Sequence, residues 1–177
     1  MSHTTTYKTK RRRRAEGRTD YSKRLNLLKS EKPKLSIRIS NNKVIAQIIK
    51  YERIGDQTLV NTTSLELKKF GYIGHRSNVC AAYLTGLLCG KKAVARGIKE
   101  AVLDIGLHTP VSGSNVFAAL KGAVEAGLII PHDKTVMPSD DRVSGKSIND
   151  YRKIDLKIAE VKEKILSEKH EPKKPKK

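Results

Sequence analysis

Strict alternation over residues 35–40 sets the character of the fold. In LSIRIS, Leu35, Ile37 and Ile39 point one way and Ser36, Arg38 and Ser40 the other, the pattern of a strand with one buried face. Asn41-Asn42 follows as a two-residue turn, because asparagine tolerates positive φ. The run KVIAQIIKY (43–51) is apolar on both faces around Gln47, as a central strand is. Gly55-Asp56-Gln57 turns the chain into TLVNTTS (58–64). The expectation is an antiparallel meander of three strands.

Beyond the meander the period changes from two to that of a helix. Residues 65–74 read as a polar turn or short helix. In 77–97, Val79, Ala82, Tyr83, Gly86, Leu87 and Val94 recur at near-helical spacing, with Ser77 placed as N-cap and Gly97 as the stop. Ala81, Ala82, Thr85, Gly86 and Gly90 make one side small, so that the helix can lie close on a sheet. EAVLDI (100–105) then reads as a fourth strand, reached by a helical crossover and hence parallel to a neighbour. A second amphipathic helix begins after Ser114 as N-cap, and Gly127 with Pro131 ends it. A fifth strand around 128–130 is a weak signal. Residues 132–150 read as polar loop and 151–170 as a lone helix with Ile154, Ile158, Val161 and Ile165 in one row. The fold class is therefore α/β: a mixed sheet with a three-strand meander and helical crossovers, of the ribonuclease-H-like type. The core occupies residues 35–132, between a basic arm with its bridge (1–34) and a C-terminal segment (133–177) of loop, helix and basic tail.

Charge sits on the two ends. The chain is +19 overall; residues 1–34 carry 12 basic and 3 acidic groups, and residues 142–177 carry 12 and 6, around a more balanced middle. Lys8, Lys10, Arg11, Arg12, Arg13, Arg14, Arg18, Lys23 and Arg24 are opposed only by Glu16 and Asp20 within residues 7–24. Adjacent guanidinium groups repel until an anion neutralises them, and their forks match phosphate oxygens two at a time. Such a segment is expected to gain its order on a polyanionic partner. Tyr21, beside these charges, can stack on an unpaired base or anchor the arm to the domain. Arg38, Arg53 and Arg76 extend the basic surface, and the turn at Gly113-Ser114-Asn115 offers free amides to an RNA phosphate. Leu25, Leu27 and Leu28 can tie the arm to the domain.

Other chemistries find little support. Asp104 is the one well-placed strand acid, and one carboxylate cannot hold the two metals of a ribonuclease-H-type nuclease. No nucleophile elbow and no Lys-Ser/Thr phosphate loop is present. Cys80 and Cys89, nine apart on a helix, suit neither redox nor zinc chemistry and read as reduced interior residues. The five histidines are scattered. No apolar run is long enough to span a membrane, neither arm has the apolar face of an interfacial helix, and the N-terminus lacks the apolar region of a secretory signal. The chain reads as an intracellular, cytoplasmic RNA-binding protein with no cofactor and no small-molecule substrate. The competing reading is an RNA-processing enzyme on the same scaffold.

The stretches RRRRAEGRTDYSKRL (11–25), SIRISNNKVIAQII (36–49), NVCAAYLTGLLCGKK (78–92), LDIGL (103–107) and NVFAALKGAVEAGLIIPH (115–132) resemble the archaeal and eukaryotic branch of ribosomal protein eighteen of the large subunit, and they occur in the family's order. The resemblance implies a non-catalytic α/β domain of the ribonuclease-H-like type. It also implies 5S ribosomal RNA, the large-subunit RNA and neighbouring ribosomal proteins as partners, at the central protuberance. The loop HTPVSGSN (108–115) departs from the Thr-rich version of eukaryotic members, and their long insertions are missing, which points to an archaeal-type form.

Overall fold

The computed structural model describes residues 8–152 and 156–168. A four-stranded sheet carries the domain, in the order β3-β2-β1-β4. Its strands are β1 (Lys34–Ile39), β2 (Val44–Lys50), β3 (Gln57–Thr63) and β4 (Val102–Asp104). The meander is antiparallel, with Leu35 opposite Ile48 and Ile48 opposite Val60. β4 returns after a helix to lie parallel to β1, with Leu35 opposite Leu103, as the crossover requires. The mixed α/β architecture thus follows the sequence reading, although β4 is shorter than 100–105. The weak fifth strand is a single parallel bridge between Glu100 and Ile129. At Asn41-Asn42 the chain turns without the left-handed conformation: positive φ outside glycine occurs, among the described residues, only at Glu31 and Lys157. Ser40 closes the turn instead, its N–H donating to the Lys43 carbonyl at 2.9 Å and its hydroxyl accepting from the Lys43 N–H at 3.2 Å.

One face of the sheet is the core. Leu35, Ile37, Val44, Ala46, Ile48 and Val60 are all buried there, with the helix α3 (Val79–Ala95) packed over β2 and β3. Twelve of the 17 residues of α3 are buried, as befits a helix apolar on most sides and enclosed by neighbours. Its N-cap is Asn78, one residue beyond the expected Ser77: the Asn78 side chain accepts from the Ala81 N–H at 2.7 Å and from the Tyr72 hydroxyl at 2.8 Å. Ser77 donates instead to the Ser40 carbonyl. Cys80 and Cys89 are buried free thiols on α3.

The small side of α3 serves a partner other than the expected one. A Cβ on Gly86 would lie 1.9 Å from the Ala119 carbonyl oxygen, and one on Gly122 would lie 2.1 Å from that of Tyr83. Both glycines therefore bring α3 against the backbone of α4 (Asn115–Glu125). The sheet had seemed the natural partner because a crossover helix normally lies on it. Here α3 is a central helix, with the sheet on one side and α4 on another.

The segment 132–150, expected as loop, contains a 3-10 turn (Lys134–Val136) and two short helices, α5 (Asp140–Val143) and α6, which continues past it (Lys146–Arg152). The lone helix expected over 151–170 is interrupted: α6 ends at Arg152, and α7 (Ile158–Ser167) starts after Lys157 at φ +46°. Ile158, Val161 and Ile165 are buried in the common core as one row; Ile154 lies outside the described residues. Glu125 of α4 accepts from both the Tyr83 hydroxyl and the Lys162 ammonium, pinning α7 to α3 and α4. Burial pushes the Tyr83 hydroxyl up to about 12, and the hydrogen bond to Glu125 reinforces that.

The Gly86 contact predicts a large cost for one added methyl. Gly86→Ala must separate two helix backbones, and overpacking of this kind costs about 1–3 kcal/mol or more. Gly55→Ala, where nothing lies within 4 Å, should stay within about 0.5 kcal/mol of the parent. Urea denaturation of both variants makes the comparison, and equal midpoints would remove the close crossing.

Candidate nucleic-acid interface

The second face of the sheet carries no helix layer. Lys34, Ser36 and Arg38 of β1 point to it, with Ile45, Gln47 and Ile49 of β2 and Asp104 of β4. Asp104, Ser36, Gln47 and Asn61 stand opposite one another across the four strands, and Gln47 Nε2 donates to Asn61 Oδ1 at 3.2 Å. The alternation in LSIRIS made this face polar, and the basic arm crosses it.

The arm already holds two short helices, whereas the sequence reading expected order only on a partner. These are α1 (Arg12–Ala15) and α2 (Tyr21–Leu28), neither with a buried residue. Local chemistry explains them. Asp20 caps α2 by accepting from the N–H groups of Ser22 and Lys23 at 3.0 and 3.2 Å. The Arg11 guanidinium lies over the Tyr21 ring, 5.0 Å from its centroid, and Arg13 Nε donates to Thr19 Oγ1 at 2.8 Å. Glu16 pairs with Arg12 at 3.6 Å and with Arg18 at 3.2 Å. Leu27 and Leu28 are half-buried against the domain, whereas Leu25 is exposed.

The arm encloses one cleft with the sheet and a second with the loop between β2 and β3. The first, of about 690 Å³, has Arg13, Arg18, Lys23 and Arg24 on the arm side and Lys34 and Arg38 on the sheet side. The second, of about 810 Å³, is lined by Lys8, Lys10, Arg11, Arg14, Tyr21 and Arg53 among others. Most of the basic residues singled out in the sequence thus line one continuous region, with Arg24 shared by both clefts. Arg12 is exposed on α1, outside both clefts. Tyr21 has one ring face taken by Arg11 and stands on the wall of the second cleft.

Arg76 and Ser114 belong to another part of the surface, the loops that lead into α3 and α4. These loops are joined by a 2.8 Å bond from the Asn115 amide to the Ser77 carbonyl. Ser114 occupies the N-cap position of α4, but its hydroxyl caps nothing and is buried without a hydrogen-bond partner. Nor are the amides expected there free for a phosphate, since the Gly113 N–H donates to the Val136 carbonyl at 2.9 Å and the Ser114 N–H to the Val111 carbonyl at 3.2 Å.

Four residues that shape the clefts, Lys34, Asp56, Asp104 and Gly106, escaped the sequence reading as site residues. Asp56, from the turn before β3, accepts from Arg24 Nη2 at 3.1 Å on each oxygen and from Lys34 Nζ at 2.9 Å. Asp104 accepts from Arg38 Nη2 at 3.0 Å, while Arg38 Nη1 donates to the carbonyls of Ile37 and Asp104. Gly106, at φ +64°, leaves room for that guanidinium: a Cβ there would lie 2.9 Å from Arg38 Cζ. Lys34 continues the alternation of Ser36 and Arg38 by one step, so its facing was readable. The partners of Asp56 are distant in sequence and were not.

Among the described residues no group of three or more potential ligands could hold a metal, and no helix is long and apolar enough to cross a membrane. Burial pushes the Cys80 and Cys89 thiols up to about 11, leaving them protonated and poor nucleophiles at neutral pH.

Burial raises the Asp56 carboxyl, but the hydrogen bond and charge of Lys34, then those of Arg24, outweigh it and hold the group below its ordinary value. A depressed folded-state value makes the clasp stabilising above the unfolded-state value, near 3.9. That contribution is lost as pH falls through the folded-state value. A carbon-13 NMR titration should place the Asp56 midpoint below about 3.9. In Arg24→Gln with Lys34→Met the midpoint should rise; no movement would separate the carboxylate from these cations.

Comparison with known proteins shows the family. The family model described as ribosomal large subunit proteins 60S L5 and 50S L18 matches residues 5–100 and 95–133. The large ribosomal subunit protein uL18 of Methanothermobacter thermautotrophicus is 52% identical over 151 residues, covering 85% of this chain and 79% of the relative. The match includes the arm, the sheet and both central helices, and it sets aside the RNA-processing enzyme. With its basic arm laid over an open sheet face, the chain belongs to the family of ribosomal large subunit proteins that comprises 60S L5 and 50S L18, structural constituents of the cytoplasmic ribosome with ribosomal RNA and ribosomal proteins as partners.

Proposed function

We propose that this chain binds 5S ribosomal RNA and helps attach it to the large ribosomal RNA at the central protuberance. The observation that carries the reading is the pair of adjoining basic clefts that the arm forms with the sheet and with the β2–β3 loop. An arm of exposed arginines supplies charge that any phosphate backbone can neutralise. A rigid sheet face with its own fixed donors supplies shape, and folded RNA is recognised largely by shape and backbone. In this reading Lys8, Lys10, Arg11, Arg12, Arg13, Arg14, Arg18, Lys23 and Arg24 hold phosphates along the arm, with Arg38 and Arg53 at the cleft walls. Tyr21 offers its free ring face to a base. Arg76, on the separate loop surface, reaches a second RNA segment, which suits a protein that joins two RNA molecules.

Salt titration separates the parts. If 6–10 phosphates are neutralised, affinity should fall by roughly 10³–10⁵-fold between 50 and 200 mM salt, a scale set on duplex DNA. Deleting residues 1–18 spares the Asp20 cap and α2, so the domain should stay folded while the salt slope flattens. The shortened chain should still prefer 5S RNA to a transfer RNA. A full slope would move the electrostatic contact off the arm, and a lost preference would move recognition into it.

A further inference from the structure

Asp56 is an acid in the middle of a basic surface. It lines both clefts, and electrostatics alone would class it as a liability, since a carboxylate there repels the phosphates that the surrounding cations attract. Its contacts indicate another role. Arg24 comes from α2 in the arm, Lys34 opens β1, and Asp56 comes from the turn before β3. The carboxylate holds both cations at 3.1 and 2.9 Å, and the Lys34 side chain is only 11% exposed. Without Asp56 the two cations would face each other unscreened across the seam between arm and sheet. Arg24 would swing outward and α2 would lose this charged tie to the domain. The resulting separation would open the boundary shared by the two clefts.

Resting on the reading that these clefts bind RNA, we propose that Asp56 is a positioning residue of the RNA-binding face: its negative charge strengthens RNA binding by fixing Arg24 and Lys34 in place before the RNA arrives. Immobilising long side chains at the moment of binding weakens association, and a preformed arrangement avoids that loss. Of the four cation contacts that Asp56 and Asp104 make, only the two with Arg24 span arm and domain; Asp56 holds Lys34, and Asp104 holds Arg38, within the domain.

The test compares Asp56→Asn, Asp56→Glu, the pair Arg24→Gln with Lys34→Met, and the triple variant. RNA affinity is read at one fixed salt concentration against a 5S RNA transcript and a transfer RNA. Asp56→Asn should weaken binding by roughly 5- to 100-fold, from the freed rotamers of two long side chains, and Asp56→Glu should recover part of it. In the Arg24→Gln, Lys34→Met background the same Asp56→Asn change should be neutral or favourable, because the carboxylate then has no cation to place. A gain of affinity in the otherwise parental chain would overturn the proposal. So would an equal loss in both backgrounds, which would mark a general effect on folding. In the free protein, heteronuclear NOE values of residues 18–28 should fall in Asp56→Asn while those of α3 hold; unchanged arm values would also overturn it. The parental chain's preference between the two RNAs scores the 5S reading by itself. The Asp56 comparison is made on whichever RNA binds, so either conclusion can fail alone.

Discussion

The contact between the backbones of α3 and α4 governs the architecture. Gly86 and Gly122 each leave no space for a Cβ against the opposing helix, so the two helices form one thin layer over one face of the sheet. Thr85 keeps its own polarity satisfied inside that layer by donating to the Ala81 carbonyl. α7 then closes the layer from the side through Val161 and Ile165. Because the apolar helices collect on a single face, the other face of the sheet is left to the polar members of the strand alternation. The arm can lie there without competing for the core.

A protein at +19 must manage its own repulsion as well as attract its partner. Here the acids are spent near the arm in a consistent way. Glu16 lies between Arg12 and Arg18, Asp56 between Arg24 and Lys34, and Asp104 beside Arg38. The exposed pairs at Glu16 contribute little stability on their own. Their effect is directional, since a guanidinium with one edge held presents the other in a limited set of orientations. Lys34 differs in being largely shielded from water, so its pairing with the more exposed Asp56 depends less on salt than the pairs at Glu16. A basic surface arranged in this way can remain ordered at salt concentrations that weaken its exposed contacts.

Period-two and helical patterns carried much of the fold. LSIRIS and KVIAQIIKY placed β1 and β2; burial alternates along β2, whereas in β1 Ser36, on the polar side of the alternation, is buried along with Leu35 and Ile37. The end of α3 at Gly97 and that of α4 at Gly127 were equally local signals. What the pattern could not supply was the choice of partner. The small side of α3 fits a sheet or a helix equally well from one chain segment, and only the position of Gly122 in α4 resolves it. Ser77 and Asn78 are both good caps; Tyr72, six residues upstream of Asn78, decides between them. Segment 132–150 misled because its helices are one or two turns long, too short for periodicity to register. The basic residues of the site were legible from composition, whereas Asp56 was legible only as a turn former.

The arm shows how a segment with no core of its own can still arrive partly shaped. Its helices rest on an aspartate cap, a ring beneath a guanidinium and a carboxylate that reaches across from the turn before β3, with only the half-buried Leu27 and Leu28 as apolar support. Each of these is individually weak, and together they act on the same short stretch between Arg11 and Leu28. A core built for the arm would have fixed it against one partner geometry and hidden the guanidinium groups that give it affinity. Weak polar ties leave Arg12, Arg14 and Lys23 exposed while limiting where their backbone can go. The arm therefore keeps its charge available to a phosphate backbone, and the entropy lost on binding is smaller than for a free chain of the same length.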